Sequence, residues 1–392
     1  MNRRIPLYSA LLFATAAVCA AVIVSGLFFN SRFGAVAQKA AAVERLLDQV
    51  FVEAYDKTAA SDAAAAAMIA STGDPWSYYI PASAYEAYLE NASNSYTGIG
   101  IVLEMREGDP ALRVAAVTSG GPAEVAGMLP GDILVSVDGT SLSGMDVTQV
   151  RDMIRAGNGR DLSIVVDRNG TSLEMTVACG TVQTEVAVSA MLGDGIGYIR
   201  IYNFEANCCR QTLDCISELL QQGAKGLVFD VRSNPGGKRT ELVEVLDYLL
   251  PEGDLFRSTD HDGKELVDRS DEICLRLPMA VLVNEYSFSA AEFFAAALQE
   301  YDWAEVIGTK TVGKGNYQIV YSFSDGSACG ISSGRYFTPS GKSLEGTGVA
   351  PDVEVAMDPS LISKVENSTV LPGEDTQLAA AVEAVRKNLL QK

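Results

Sequence analysis

Residues 279–299, MAVLVNEYSFSAAEFFAAALQ, decide how this 392-residue chain is to be read. The apolar run from Met279 to Val283 reads as a buried strand, and Ala290 to Gln299 reads as a helix, with small and hydroxyl residues at the junction. Such a strand–turn–helix exposes a side chain at the helix start, where unpaired backbone N–H groups point outward. A serine there can be a nucleophile whose oxyanion those groups stabilise, or it can simply cap the helix. Ser287 and Ser289 are open to both readings at this point.

Working outward, the same alternation continues. GIGYIRI (195–201) reads as a strand, and NFEANCCRQTLDCISELLQQG (203–223) as a helix with Cys209, Leu213, Ile216 and Leu220 at helical spacing and Gly223 after its end. GLVFDVRSNPGG (226–237) is a buried strand running into a glycine turn, followed by the helical ELVEVLDYLL (241–250). Strand and helix in turn predict an α/β layer with parallel pairing over residues 181–358, and the tail 359–392 reads as helical. Upstream the pattern changes. From 96 to 180, short β-rich runs separated by Gly, Pro, Asn and Asp are interrupted by one helix, about Met145 to Ala156. Residues 30–95 are Ala-rich and helical, with one helix expected over 35–72 and another over 82–92; Trp76, Tyr78 and Tyr79 between them are expected to pack.

A nucleophilic serine needs a base. The single histidine, His261, sits in the polar turn STDHDGKEL (258–266), which reads as a solvated loop. A lysine can serve if it is neutral, and bringing its reference value near 10.4 to about 7 takes roughly 4.6 kcal/mol, which burial can supply. Lys314, in GTKTVGKGNYQIVYSF (308–323), is flanked by Gly313 and Gly315, so neighbouring backbone can close around it.

Two resemblances sharpen this. YTGIGIVLE (96–104) with GGPAEVAGMLPGDILVSVDG (120–139) resembles a PDZ domain. The resemblance implies that Gly98, Ile99, Gly100 and Ile101 form the loop that receives a peptide's terminal carboxylate, with Val147 and Val150 lining the side-chain pocket. The serine stretch, the lysine stretch and RYFTPSGKSLEGTGVAPDVEV (335–355) together resemble the carboxyl-terminal processing peptidases, or tail-specific proteases, over roughly residues 40–358. That resemblance implies a crotonase-like (ClpP-like) α/β peptidase core carrying the PDZ insert. It places the nucleophile on Ser289, the general base on Lys314, the lysine-orienting residue on Gln318, and supporting roles on Glu292 and Thr311. It points to the backbone N–H groups of Gly236 and Ala290 for the oxyanion, and it implies a homodimer. The sequence departs from the family at Phe288, where a small residue is usual, and at Ala291, where Ser is frequent.

A formal charge of −20 argues against nucleic acid as a partner, and the implied substrates are proteins or peptides with free C-termini. With no C-x-x-C pair and one histidine, no metal is expected, and the mechanism implied asks for no cofactor. Cys208, Cys209 and Cys215 fall in a helical pattern where buried thiols are expected. After Arg3 and Arg4, residues 5–29 carry no charged side chain. They would make about 37 Å of helix, enough to span a bilayer. The expectation is an uncleaved signal anchor in the cell membrane with residues 1–4 in the cytoplasm and the catalytic part outside. Ala35-Val36-Ala37 is the competing cleavage pattern. Mass spectrometry of the protein from purified membranes should find the intact N-terminus; a mature chain starting near Gln38 would overturn the anchor.

Overall fold

The structure is a computed structural model that describes residues 34–106, 108–366 and 373–390. The expected anchor, residues 5–29, lies outside them. Among the described residues no helix is long and apolar enough to cross a membrane. The chain divides into two units, 1–79 and 80–392.

In the first unit the single helix expected over 35–72 is two, Ala35–Val50 and Lys57–Ala70. Phe51 turns extended, and Asp56 starts the second helix by accepting hydrogen bonds from the N–H groups of Thr58 and Ala59. A capping carboxylate outweighs the alanine run, because helix propensity differs little from residue to residue while a cap satisfies orphan donors.

The second unit opens with the helix Ala82–Ser93, ended by Asn94 in the left-handed conformation. The Asn94 side chain is exchanged with that of Asn203 and also donates to the Ala206 carbonyl, which seats this helix on the core. A two-stranded ribbon, Ser95–Gly98 against Gly180–Gln183, then leads into and out of the β-rich insert. The insert is an antiparallel sheet of Ile101–Arg106, Asp109–Val117, Ile133–Val137, Asp161–Arg168 and Thr171–Ala178, with the helix Val147–Arg155 beside it. Its own core includes Ile99, Leu134, Val150, Ile154, Leu162 and Ile164.

The catalytic-core candidate follows. Its main sheet runs in the order β1 (Ala187–Met191), β2 (Ile196–Ile201), β3 (Gly226–Asp230), β6 (Met279–Val283), β7 (Ala304–Gly308), β10 (Val353–Glu354), with β1 antiparallel and the rest parallel. Both faces are covered, so the strands are apolar throughout rather than alternating. Leu227, Phe229, Val281 and Val283 meet α1 (Cys208–Gln221), α2 (Arg239–Leu249) and α3 (Ala290–Glu300) on one side. Val228, Ala280, Leu282 and Ile307 meet α4 (Thr376–Leu390) through Ala381 and Val385 on the other. A second sheet joins β4 (Gly253–Asp260), β5 (Glu265–Ser270), β8 (Asn316–Ser322) and β9 (Ala328–Phe337), with β9 pairing both β4 and β8. The β4–β5 hairpin, whose turn carries the exposed His261, is absent from the sequence-based assignment because charged and hydroxyl residues interrupt the apolar pattern of its strands.

A buried ion network sits where β3 ends. Arg232 binds Asp230 through Nε and Nη2 (2.9 and 2.6 Å) and Asp375 through both terminal nitrogens (3.0 and 2.8 Å). Asp375 in turn accepts from the Leu378 N–H at the start of α4. Burial alone would raise the Asp230 carboxyl, but Arg232 and Arg200 outweigh it and hold it below its ordinary value of 3.8. Its contribution to stability is therefore present at neutral pH and lost as pH falls below that value. Arg232→Met, which takes the shared cation from two buried carboxylates and leaves Asp230 with Arg200 and the Tyr198 hydroxyl, is expected to cost about 3 kcal/mol in urea denaturation at pH 7. The deficit against wild type should shrink as acid protonates the carboxylates.

Candidate active site

β6 delivers its chain into the turn Asn284–Ser289, and α3 begins immediately after. Ser289 has φ 59° and ψ −123°, a backbone state costly for a residue with a Cβ. A strained residue between a strand and a helix is how a nucleophile is lifted clear of its neighbours. The other candidate serine is spent. Ser287 is fully buried, donates to the Val231 carbonyl (2.8 Å) and accepts from the Asn284 N–H (3.0 Å). The same turn is laced to the glycine turn after β3: the Ser233 N–H donates to Asn284 Oδ1 (2.8 Å), and the Phe288 N–H to the Asn234 carbonyl (3.1 Å).

Glu292, on the first turn of α3, carries the arrangement. It is fully buried, and its two carboxylate oxygens accept four hydrogen bonds. Oε2 takes the N–H groups of Ser289 (2.9 Å) and Lys314 (2.9 Å), and Oε1 takes the Gly313 N–H (2.6 Å) and the Thr311 hydroxyl (2.5 Å). One side chain thus fixes the serine and lysine segments against each other. Burial pushes the carboxyl above its ordinary value, and the four donors pull the other way. Thr311 passes the restraint on by accepting from the Val349 N–H (2.8 Å).

The lysine segment approaches so closely that two of its positions must be glycine. A Cβ on Gly313 would lie 2.9 Å from the Gly348 nitrogen, and one on Gly315 would lie 2.6 Å from that of Glu345. Lys314 itself is half-buried, with Nζ 5.9 Å from the centroid of the Phe288 ring. The residue that departs from the family pattern therefore lies against the candidate base, where a ring face attracts an ammonium. Gln318 follows a bulge in β8, which re-aims it, and its amide nitrogen donates to Asn316 and Ser332. Its oxygen is the atom left to accept from a lysine.

Of the two oxyanion candidates, the Ala290 N–H lies at the start of α3, and Gly236 packs directly on it. A Cβ at Gly236, whose φ is 91°, would come within 2.8 Å of the Ala290 nitrogen and 2.7 Å of Ser289 Cβ. The Gly236 N–H, however, donates to Asn234 Oδ1 (2.8 Å), so it serves an oxyanion only after giving up that partner.

In the β-rich insert, a cavity of about 160 Å³ is lined by Tyr96, Gly98, Ile99, Ile101, Leu103 and Val147, with Arg151 and Arg155 on the helix side. Val150 needs correction. It is fully enclosed in the insert's core, one helical step away from Val147, so it supports the groove from behind instead of lining it. Gly100, with φ 83°, shapes the turn and its carbonyl accepts from Thr118. Sequence reasoning passed over Arg155, which reaches from the groove helix to Glu90 (2.9 Å), and Tyr336, whose hydroxyl donates to the Lys314 carbonyl. Cys208 and Cys209 are buried free thiols, both pushed up to about 12 by burial.

A strained serine at a strand–helix junction, tied through a carboxylate to a glycine-flanked lysine, with a small apolar groove in the β-rich insert, defines a serine-type peptidase with a PDZ module. The profile of Peptidase family S41 matches residues 195–355, and that of the PDZ domain matches 113–168. The chain is 29% identical over 371 residues to the carboxy-terminal processing protease CtpA of Bacillus subtilis, covering 91% of this chain and 78% of that protein. It is 30% identical over 330 residues to the chloroplastic C-terminal processing peptidase of Tetradesmus obliquus, covering 79% and 70%. A solved structure assigned to the S41 proteases, from Bacteroides fragilis, shares the fold at 19% identity and a TM-score of 0.50, over 88% of this chain and 93% of that one. The chain belongs to the C-terminal processing peptidases of family S41.

Glu292→Gln keeps the size but offers one acceptor oxygen and turns an NH2 toward N–H donors. Stopped-time peptide assays should show kcat lowered about 100-fold or more with KM little changed, and denaturation a loss of about 2–4 kcal/mol.

Proposed function

We propose that the chain is a membrane-anchored endopeptidase that takes protein C-terminal tails in its PDZ groove outside the cytoplasm and cleaves them by a Ser289–Lys314 acyl-enzyme mechanism. The observation that carries this reading is the Glu292 carboxylate, which binds the backbone of both residues through one oxygen. The Ser289 half of that tie is also the capping box of the helix, but its extension to the Lys314 N–H joins the two segments, which is what a two-residue catalytic unit needs to keep its geometry.

In the proposed cycle neutral Lys314 takes the Ser289 hydroxyl proton as the oxygen attacks a peptide carbonyl. The tetrahedral oxyanion is met by the Ala290 N–H, joined by Gly236 once its bond to Asn234 opens. Collapse breaks the C–N bond, Lys314 returns the proton to the departing amine, and water then hydrolyses the ester by the same route. Lys314 is half-buried by the chain alone, so the substrate backbone completes its desolvation; the base is then neutral when a peptide covers it. Gln318 supplies an acceptor oxygen to orient that amine. Glu90 and Arg155 link the PDZ helix to the core, which suits a module that reports tail binding to the site.

The groove's apolar lining and small volume suit one aliphatic side chain at the substrate terminus, with arginines close by for its carboxylate. Ser289→Ala should abolish cleavage of an unstructured peptide with an apolar C-terminus. Removing residues 96–180 should lower its kcat/KM relative to an amidated, tail-blocked peptide. Undiminished cleavage by Ser289→Ala would overturn the site, and equal use of free and blocked tails by the intact enzyme would overturn tail recognition.

A further inference from the structure

Tyr336, on β9, is nearly fully enclosed, with its ring packed on Phe256 and Phe293 (centroids 5.7 and 5.9 Å away). Packing accounts for the ring but not for the hydroxyl. That hydroxyl donates to the carbonyl oxygen of Lys314, and the Tyr336 N–H donates to the Gly315 carbonyl at 3.0 Å. Tyr336 therefore grips the lysine segment from the face opposite Glu292, which holds the N–H groups of Gly313 and Lys314.

A phenol has one O–H, and here it is committed to the Lys314 carbonyl. Burial pushes the phenol far above its usual range, so it stays protonated and cannot act as the base. We propose that Tyr336 is a positioning residue of this site: its O–H and its N–H hold the Lys314 and Gly315 carbonyls, fixing the lysine segment so that Lys314 Nζ meets the Ser289 proton at attack. No proton is transferred to or from Tyr336 in this step. The Ser289 O–H breaks, the proton goes to Lys314 Nζ, and the oxygen lone pair forms the bond to the substrate carbonyl carbon. The hydroxyl thus restricts the base to one backbone position. Sequence alone places Tyr336 only as an aromatic in a strand, 47 residues beyond Ser289. This inference rests on the Ser289–Lys314 reading.

The test compares four full-length proteins: wild type, Ser289→Ala, Tyr336→Phe and Phe256→Leu. Tyr336→Phe deletes one oxygen and keeps the ring, while Phe256→Leu loosens the same aromatic cluster with the hydroxyl in place. Activity is expressed per folded molecule, from circular dichroism. Tyr336→Phe should lower kcat by about tenfold or more with KM within about twofold, and should displace the rising limb of the kcat/KM pH profile by about half a pH unit or more. Phe256→Leu should lower Tm at least as much, with kcat within about threefold and the pH profile unmoved. The proposal is overturned if Ser289→Ala is inactive yet Tyr336→Phe matches wild type in kcat and pH profile. It is equally overturned if Tyr336→Phe loses activity only to the extent that Phe256→Leu does. If Ser289→Ala cleaves as wild type does, the dyad itself is wrong and this inference falls with it.

Discussion

A carboxylate with no exposure to water that accepts four hydrogen bonds is an expensive object, and the rest of the site is organised around it. Taking a Glu292-sized anion out of water costs several kcal/mol, and each hydrogen bond to a charged group returns about 1.5–3 kcal/mol. Four such bonds can balance the cost only if all four are made. The donors come from the residue before α3 and from a loop that lies 19 to 22 residues further along the chain. Their simultaneous satisfaction fixes the geometry of both segments together, and loosening one leaves a buried charge short of a partner. The strain of Ser289 is held within this balance: its unusual backbone aims its N–H at Glu292.

The surrounding structure can be followed outward from that point. Asn234 accepts the Phe288 N–H and the Gly236 N–H, bringing the turn after β3 against the serine turn. That turn is in turn anchored by Arg232, whose guanidinium lies between Asp230 at the strand end and Asp375 at the cap of α4. A helix at the far C-terminus is thus connected, through one buried ion network, to the position of the candidate oxyanion donors. On the opposite flank the β8–β9 hairpin contributes Tyr336 and the bulge that sets Gln318. None of these groups is close in sequence to the others, and all of them converge because the parallel sheet brings the ends of β3, β6 and β7 to one edge.

The PDZ module enters by a short ribbon and is fastened through Arg155 to Glu90, on the helix that the Asn94–Asn203 pair in turn fastens to the core. The two fastenings differ in kind. The asparagine pair is reciprocal and partly buried, suited to a fixed junction, while the arginine pair is a partly exposed bridge worth about 0–1 kcal/mol, easily exchanged for another anion. Arg155 also borders the insert's groove, so the groove and the junction share a side chain.

The strands and helices of the core were legible because local periodicity is strong there: β3 and β6 are unbroken apolar runs, and α1 keeps its buried residues at helical spacing. Ser289, Lys314 and Gln318 were marked out as candidates by the family resemblance, and the glycines around Lys314 announced a close approach that the backbone indeed makes. What the sequence could not give was the assignment of partners. Val147 and Val150 share a helix and a side-chain type, yet only Val147 meets the groove. Ser287 and Ser289 are equivalent as letters, and tertiary hydrogen bonds spend one and strain the other. The Gly236 N–H, the Phe288 ring against the lysine and the Tyr336 hydroxyl are likewise decided by neighbours tens of residues away. Local propensity and pattern act over a few residues and therefore determine elements. Which buried polar group satisfies which is set by the packing of those elements, because only in the folded chain does leaving one unpaired carry its full cost.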